Sequence, residues 1–287
     1  MIQRAVFSYF NPDEHYANRC GFMKFSDFLY TTALSVHCAA QHFKEVHFVS
    51  SDWGINLLEP LGLPVTKYTR TLNKMKDVSK FFWAYGKLIA YAEQKKPFVH
   101  IDNDVFLWDP LPDRILNAEL CFQSHEPFEK PGYGWYNQLK KPWNEAPVRP
   151  QKILDNEITD FAYNCGICGG HNLDIFKEWI DCSSQYIFAP ENQKVFFEDF
   201  VNLIIHQNLF HEQYFIASLI KSHDLRGKVE VIAPDVTDIP SLLKYTHLWG
   251  TTKQQYSMMR RVNMRLQIEN PALHKRIKNF CEKNKIT

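Results

Sequence analysis

Pro97-Phe98-Val99-His100-Ile101-Asp102-Asn103-Asp104-Val105-Phe106-Leu107-Trp108 is the stretch on which the reading of the fold turns. Phe98 to Ile101 is mostly apolar, too short for a helix, and preceded by Lys95, Lys96 and Pro97, so it reads as a short buried strand. The apolar run stops at Asp102. A second carboxylate, Asp104, follows one residue later, before another apolar run from Val105 to Trp108. Burying an unpaired carboxylate costs on the order of several kcal/mol, so two at one strand end call for a compensating charge. A hard divalent cation supplies it: Mn²⁺ or Mg²⁺ takes oxygen ligands and leaves positions open for substrate phosphates. The C-terminal end of a sheet strand is also where open α/β sheets bind ligands. Asp102 and Asp104 are therefore expected metal ligands, and Asn103 between them a candidate ligand contact.

An isolated Asp-x-Asp more often marks a solvated turn; the flanking apolar runs raise its weight here. Asp102-Asn103-Asp104-Val105 also resembles the Asp-x-Asp-x-Val motif of haloacid-dehalogenase-type phosphatases. That family needs a further acidic pair downstream, and no adjacent Asp-Asp occurs in the chain. A metal-dependent phosphohydrolase stays as the lesser reading.

The 287 residues suit one large α/β domain or two modest ones. With 45% apolar and 23% charged residues the chain is globular and not disordered. A net charge of +1 predicts no nucleic-acid partner. Aromatics reach 15%, which suits stacking on sugars or nucleobases, although most aromatics in any such chain are core. Among the 7 cysteines only Cys165 and Cys168 form a Cys-x-x-Cys, with no second pair to complete a zinc site, so buried free thiols are expected. Ala5 to Phe10 reads as a strand, not as a signal peptide, and no run reaches the ~18 apolar residues of a membrane span. The expected location is cytoplasmic, at most peripheral at the inner membrane face; the oligomeric state is not legible.

Residues 4–10 read as the first strand, a helix follows over 28–43, and 45–50 forms the second strand, ending in Ser51-Asp52-Trp53-Gly54. Tyr9 and Asp52, at two successive strand ends, are candidates to stack on and hydrogen-bond a nucleobase, with ordinary loop polars as the plain alternative. A short helix near 55–60 and a short strand at 65–68 precede a long helix over 78–94, in which Lys87 interrupts the apolar face and either snorkels outward or points at a site. Alternation of strand and helix through residue 110 is the pattern of a mainly parallel sheet flanked by helices. Residues 118–124 and 229–233 read as strands, and 172–186, 194–208 and 212–222 as helices. Between them, 161–170 reads as short apolar segments broken by Gly. The stretch 125–160, rich in Pro, Gly, Tyr and Trp, reads as a lid or acceptor loop, and 254–287 as a basic helical segment broken at Pro271. The whole of 1–287 reads as a single catalytic domain.

His247, Gly250 and Lys253 form His-x-x-Gly-x-x-Lys. Neutral imidazole ligates metals, Gly allows close backbone approach, and Lys offers a point charge to phosphate. With the upstream Asp-x-Asp, this pattern resembles a GT-A fold glycosyltransferase, closest to the retaining family 8 that includes glycogenin and the lipopolysaccharide galactosyltransferases, or a neighbouring Asp-x-Asp sugar transferase family such as the capsular-polysaccharide type. The resemblance implies that Asp102, Asp104 and His247 bind Mn²⁺ (or Mg²⁺) and that Lys253 meets the nucleotide diphosphate. Tyr85-Gly86-Lys87 matches the family's Tyr-x-Arg with Lys for Arg, Asn164-Cys165-Gly166 its Asn-x-Gly, and Glu212-Gln213 its acidic residue followed by Gln. Glu212 and Gln213 are then the expected catalytic pair, and Tyr9, Asp52, Lys87, Asn103, Asn164, Gly250 and Lys253 the donor-binding set. The Pro-Trp that usually follows the family's Lys is replaced by Gln254-Gln255. The implied reaction is transfer of a sugar from a nucleotide-diphosphate donor, with a UDP-sugar expected, to a glycan or lipid-linked acceptor with retention. A non-catalytic nucleotide- or sugar-binding module is the alternative from another class.

Overall fold

The computed structural model describes residues 1–129, 134–233 and 244–286. In chain order the strands are β1 (Arg4–Tyr9), β2 (Glu45–Ser50), β3 (Lys67–Thr69), β4 (Phe98–Ile101), β5 (Val105–Leu107), β6 (Leu120–Pro127), β7 (Phe161–Gly170), β8 (Val229–Val231) and β9 (Tyr245–His247). The principal helices are α1 (Phe25–Ala40), α2 (Asp52–Leu58), α3 (Tyr85–Ala92), α4 (Trp135–Glu145), α5 (Leu173–Ile187), α6 (Phe215–Ser222), α7 (Tyr256–Glu269) and α8 (Pro271–Asn284). The fold is mixed α/β. Among the described residues its central sheet has seven strands in the order β3-β2-β1-β4-β7-β6-β8. β1–β2, β2–β3 and β6–β8 pair in parallel, and β6–β7 antiparallel. The expected mainly parallel sheet with flanking helices is present. No helix among the described residues is long and apolar enough to cross a membrane.

Two compact units are resolved: Met1–Ile2 with Val78–Val99 and Asp113–Asp238, and Gln3–Asp77 with His100–Pro112 and Ile239–Thr287. In the second, β1 and β2 are buried, with Phe7 stacked on Phe48, and α1 packs on α7 and α8. α8 starts where the sequence predicts a break: Pro271 takes the first helical position, and Asn270 caps the helix by accepting from the Leu273 N–H at 3.0 Å. In the first unit, Trp143, Tyr186, Phe210 and Phe215 form an aromatic core fed by α4, α5 and α6.

Several elements differ from the sequence reading. The expected helix over 78–94 is a 3₁₀ turn (Lys80–Phe82) followed by the shorter α3. Asn208 is the cause: its Oδ1 accepts the Ala84 N–H at 2.9 Å and its Nδ2 donates to the Phe81 carbonyl, replacing helical partners. The segments expected over 161–170 are one strand, β7. Glycine there serves close packing rather than interruption, since a Cβ on Gly169 would lie 2.1 Å from the Phe98 carbonyl oxygen. The segments read as helices over 194–208 and 212–222 contain π-type turns at Val195–Asp199 and Phe210–Tyr214. Within the expected lid, α4 and a short helix (Gln151–Leu154) are ordered elements, with Tyr136, Leu139 and Trp143 buried at helical spacing. Residues 130–133 of that stretch lie outside the described residues.

Candidate functional site

The Asp-x-Asp motif sits where β4 ends. Asp102 opens a tight turn closed by the Val105 N–H donating to the Asp102 carbonyl at 3.0 Å. Ser35 on α1 braces this turn, its hydroxyl reaching the Val105 carbonyl at 2.5 Å and the Asp102 carbonyl at 3.2 Å. Asn103 fastens the turn to the end of β1, donating from Nδ2 to the Ser8 carbonyl at 2.8 Å. Its Oδ1 is buried and makes no hydrogen bond among the described residues. His100, buried on β4, lies between Ser8 and Asp102, with Nε2 2.9 Å from Ser8 Oγ and Nδ1 3.7 Å from Asp102 Oδ1.

The partner from the far end of the chain is delivered by a strand pair. β5 and β9 run antiparallel with Val105 opposite His247, and the Leu248 N–H donates to the Asp104 carbonyl at 3.0 Å. Asp102, Asp104 and His247 thus bring one ligand atom each within 4.8 Å of one another. His247 Nε2 is 3.5 Å from Asp104 Oδ1, and Lys253 Nζ is 2.5 Å from Asp104 Oδ2. Asp104 is only 5% exposed. Two carboxylates and an imidazole are a donor set that suits a hard or borderline dication with positions left for phosphate oxygens, so this group could hold one divalent ion. Gly250, at φ +59°, lets the chain turn between His247 and Lys253. Lys253 also lies 5.5 Å above the ring of Phe22.

Tyr9 and Asp52 occupy the ends of β1 and the start of α2. The Tyr9 ring is buried 4.5 Å from Phe28 and 6.3 Å from Trp53. Cys20 Sγ lies 3.7 Å from its hydroxyl, and burial pushes the Cys20 thiol up to about 11. Asp52 is exposed and held by Arg70 at 2.9 Å and by Asn73 at 2.8 Å.

The remaining predicted residues gather in the first unit. Lys87 of α3, partly buried, pairs with the buried Glu212 at 2.5 Å. The apolar stripe's odd cation therefore points inward, at an acid the sequence also singles out. Asn164 on β7 fixes its own orientation by accepting the Gly166 N–H at 2.9 Å, and it donates to Glu126 Oε1 at 2.6 Å. Tyr136 donates to Glu126 Oε2 at 2.8 Å, and its hydroxyl also meets Gln213 Oε1. Burial raises the Glu126 carboxyl to about 7; the Asn164 and Tyr136 hydrogen bonds pull against this, and the charge of Glu212 adds to it. Glu212 and Gln213 lie on the π-type turn Phe210–Tyr214, a rare element that often marks functional sites. Next to them, His211 is fully buried, makes no side-chain hydrogen bond among the described residues, and is pushed by burial down to about 3. Cys165 and Cys168 are buried free thiols.

Sequence reasoning missed Glu126, Tyr136, His100, Arg70 and Asn73. Glu126 carried no usable signal, because the predicted strand stops at residue 124 and Glu126 falls in the stretch 125–160 read as a loop. Tyr136 carried none, because it sits in a stretch read as a loop.

The chain belongs to a family of unknown function (DUF6734), whose model matches residues 3–280. No curated protein matches it in sequence. Among solved structures it is similar to mouse xyloside xylosyltransferase 1 (11% identity, covering 80% of this chain and 85% of that one, TM-score 0.39). It is also similar to the glycosyltransferase GlyE of Streptococcus pneumoniae TIGR4 (10% identity, TM-score 0.44), covering 99% of this chain and spanning 64% of GlyE. A third is the galactosyltransferase LgtC in complex with donor and acceptor sugar analogues (14% identity, covering 90% and 94%, TM-score 0.40).

Proposed function

We propose that this chain is a metal-dependent glycosyltransferase of the GT-A type, with 1–287 as one catalytic domain, that moves a hexosyl group from a nucleotide-diphosphate donor to a glycan or lipid-linked acceptor with retention. The observation that carries this reading is the β5–β9 pairing, which places His247 beside Asp102 and Asp104 with Lys253 on the same carboxylate. A divalent ion, Mn²⁺ by preference, held by Asp102, Asp104 and His247 would offset charge developing on a departing diphosphate. Two carboxylates nearly neutralise a dication, and the neutral imidazole adds a ligand without adding negative charge, so the group keeps its attraction for phosphates. Lys253 supplies a further positive charge for those phosphates.

Tyr9 and Asp52, with Arg70 and Asn73, serve the nucleoside. UDP is the expected nucleotide. In the other cluster Glu212 and Gln213 meet sugar hydroxyls or oxocarbenium charge, Lys87 compensates Glu212, and Asn164 offers an oriented amide. With retention no strong general base is required, because the leaving phosphate can accept the acceptor's proton. The stretch 125–160 serves as the lid or acceptor loop that limits water. We place the protein in the cytoplasm, at most peripheral at the inner membrane face.

The test is a donor panel. The protein is incubated with Mn²⁺ and a set of UDP- and GDP-sugars. Metal-dependent release of nucleoside diphosphate supports transfer. Release of inorganic phosphate points to a phosphohydrolase, and binding without turnover to a binding module.

A further inference from the structure

Glu126, Tyr136 and Gln213 form a chain of hydrogen bonds with one hydroxyl proton too few. Tyr136 lies within bonding distance of Glu126 Oε2 (2.8 Å) and of Gln213 Oε1. Its hydroxyl carries a single hydrogen and cannot donate to both. The other end is fixed. The Gly166 N–H sets Asn164 with Oδ1 inward, so Asn164 Nδ2 must donate to Glu126 Oε1 at 2.6 Å. Oε1 is therefore an acceptor, and any proton on Glu126 sits on Oε2, facing Tyr136.

Two arrangements satisfy every group. With Glu126 protonated, Oε2–H donates to Tyr136, Tyr136 donates to Gln213 Oε1, and the Gln213 NH₂ is turned away from the relay. With Glu126 ionised, Tyr136 donates to the carboxylate, and Gln213 can meet the hydroxyl oxygen only by turning its amide over, which leaves its carbonyl oxygen facing away. Among the described residues the Gln213 amide nitrogen makes no hydrogen bond.

We propose that Glu126 is a positioning residue: its proton, relayed by Tyr136, decides whether Gln213 presents N–H donors or a carbonyl acceptor to the substrate. The proposal rests on the reading of Gln213 as a residue that meets sugar. The proton exchanges with solvent, and no covalent bond changes. A carboxyl raised to about 7 makes both arrangements accessible near neutral pH. Among the described residues the charged and titratable groups around it are Tyr136 on α4, Cys165 on β7, Glu212 on the π-type turn and Lys87 on α3. Lys87 pairs with Glu212, and the charge acting on the Glu126 carboxyl is that of Glu212.

The test follows the side-chain NH₂ resonance of Gln213 by ¹⁵N NMR from pH 5 to pH 9, assigned by its loss in Gln213→Ala. Wild type is expected to show a shift centred near pH 7. Glu126→Gln accepts from Asn164 and donates to Tyr136, so it copies the protonated state and should hold the resonance fixed. Tyr136→Phe, which keeps Glu126 but removes the relay, should do the same and covers the case in which Glu126→Gln misfolds. A static wild-type resonance, or an unchanged titration in either folded variant, overturns the proposal. In parallel, the KM for a UDP-sugar with Mn²⁺ should change on the order of tenfold across this range in wild type, about the worth of one hydrogen bond, and be flat in Glu126→Gln. If no sugar nucleotide binds at any pH, the transferase reading fails, while the resonance still decides the relay.

Discussion

The Lys253 ammonium lies 2.5 Å from Asp104 Oδ2, on the same carboxylate that faces His247. A metal ion held at this group would compete with the ammonium for one oxygen. Lys253→Met should therefore tighten Mn²⁺ binding in the absence of nucleotide, by roughly tenfold, as expected when a like charge a few ångströms away is removed. It should weaken binding of the sugar nucleotide by a comparable factor. Mn²⁺ titration followed by EPR, with and without UDP, checks both; weaker Mn²⁺ binding in the variant would show that Lys253 supports the ion.

Glu212 is buried and Lys87 partly so, and removing Lys87 leaves the buried carboxylate uncompensated. Lys87→Met is expected to lower unfolding free energy by about 3–5 kcal/mol in urea. Adding Glu212→Gln should recover a large part of that loss. Lys87→Arg should be milder, because the charge remains while the guanidinium geometry differs. Equal losses in the single and double variants would mean the pair is packing and not charge.

Glu126 gives stability a definite pH sign. Its carboxyl sits at about 7 in the folded chain against an ordinary value of 4.5. Between those values the folded state holds the extra proton, so stability falls as pH rises. The contribution is complete below about 4.5 and gone once pH passes about 7. A gap of this size corresponds to roughly 3 kcal/mol. The difference in urea midpoint between wild type and Glu126→Gln should therefore move against wild type from pH 5 to pH 8. Parallel curves would contradict the assignment.

Three of the strands were legible because their signals are local. β1, β2 and β4 stand within a residue of where apolar runs between polar punctuation place them, and Asp102 follows β4 as expected. The meeting of Asp104 with His247 was legible only through motif resemblance, because the strands that pair them, β5 and β9, are too short to show any period. α3 illustrates a tertiary override: its pattern extends to Val78, but the Asn208 side chain takes the Ala84 N–H. Glu126 was passed over because nothing local reveals that Tyr136 and Asn164 converge on it. β7 was misread because its glycines resemble breaks in sequence, whereas in space they admit neighbouring backbone.

Two glycines should therefore respond differently. A Cβ on Gly169 would lie 2.1 Å from the Phe98 carbonyl oxygen and 2.8 Å from Val99 Cα, both backbone atoms. Gly169→Ala is expected to destabilise by several kcal/mol or to prevent folding, since backbone must shift. At Gly250 an added Cβ meets nothing within 4 Å, and only the φ of +59° is strained. Gly250→Ala should cost about 1–2 kcal/mol locally and act on donor binding through the position of Lys253. Thermal melts of the two variants, with and without Mn²⁺ and UDP, separate these effects.

The central claim is that Asp102, Asp104 and His247 hold one divalent ion that brings a nucleotide diphosphate to this chain. Calorimetric titration of UDP into the protein, in Mn²⁺ and again in excess EDTA, tests it most directly, with Asp104→Asn and His247→Ala as controls. Binding is expected in Mn²⁺, lost or weakened by about a hundredfold in EDTA, with the same loss in both variants with Mn²⁺ present. Equal affinity in Mn²⁺ and EDTA, or full metal-dependent binding in Asp104→Asn, would contradict it.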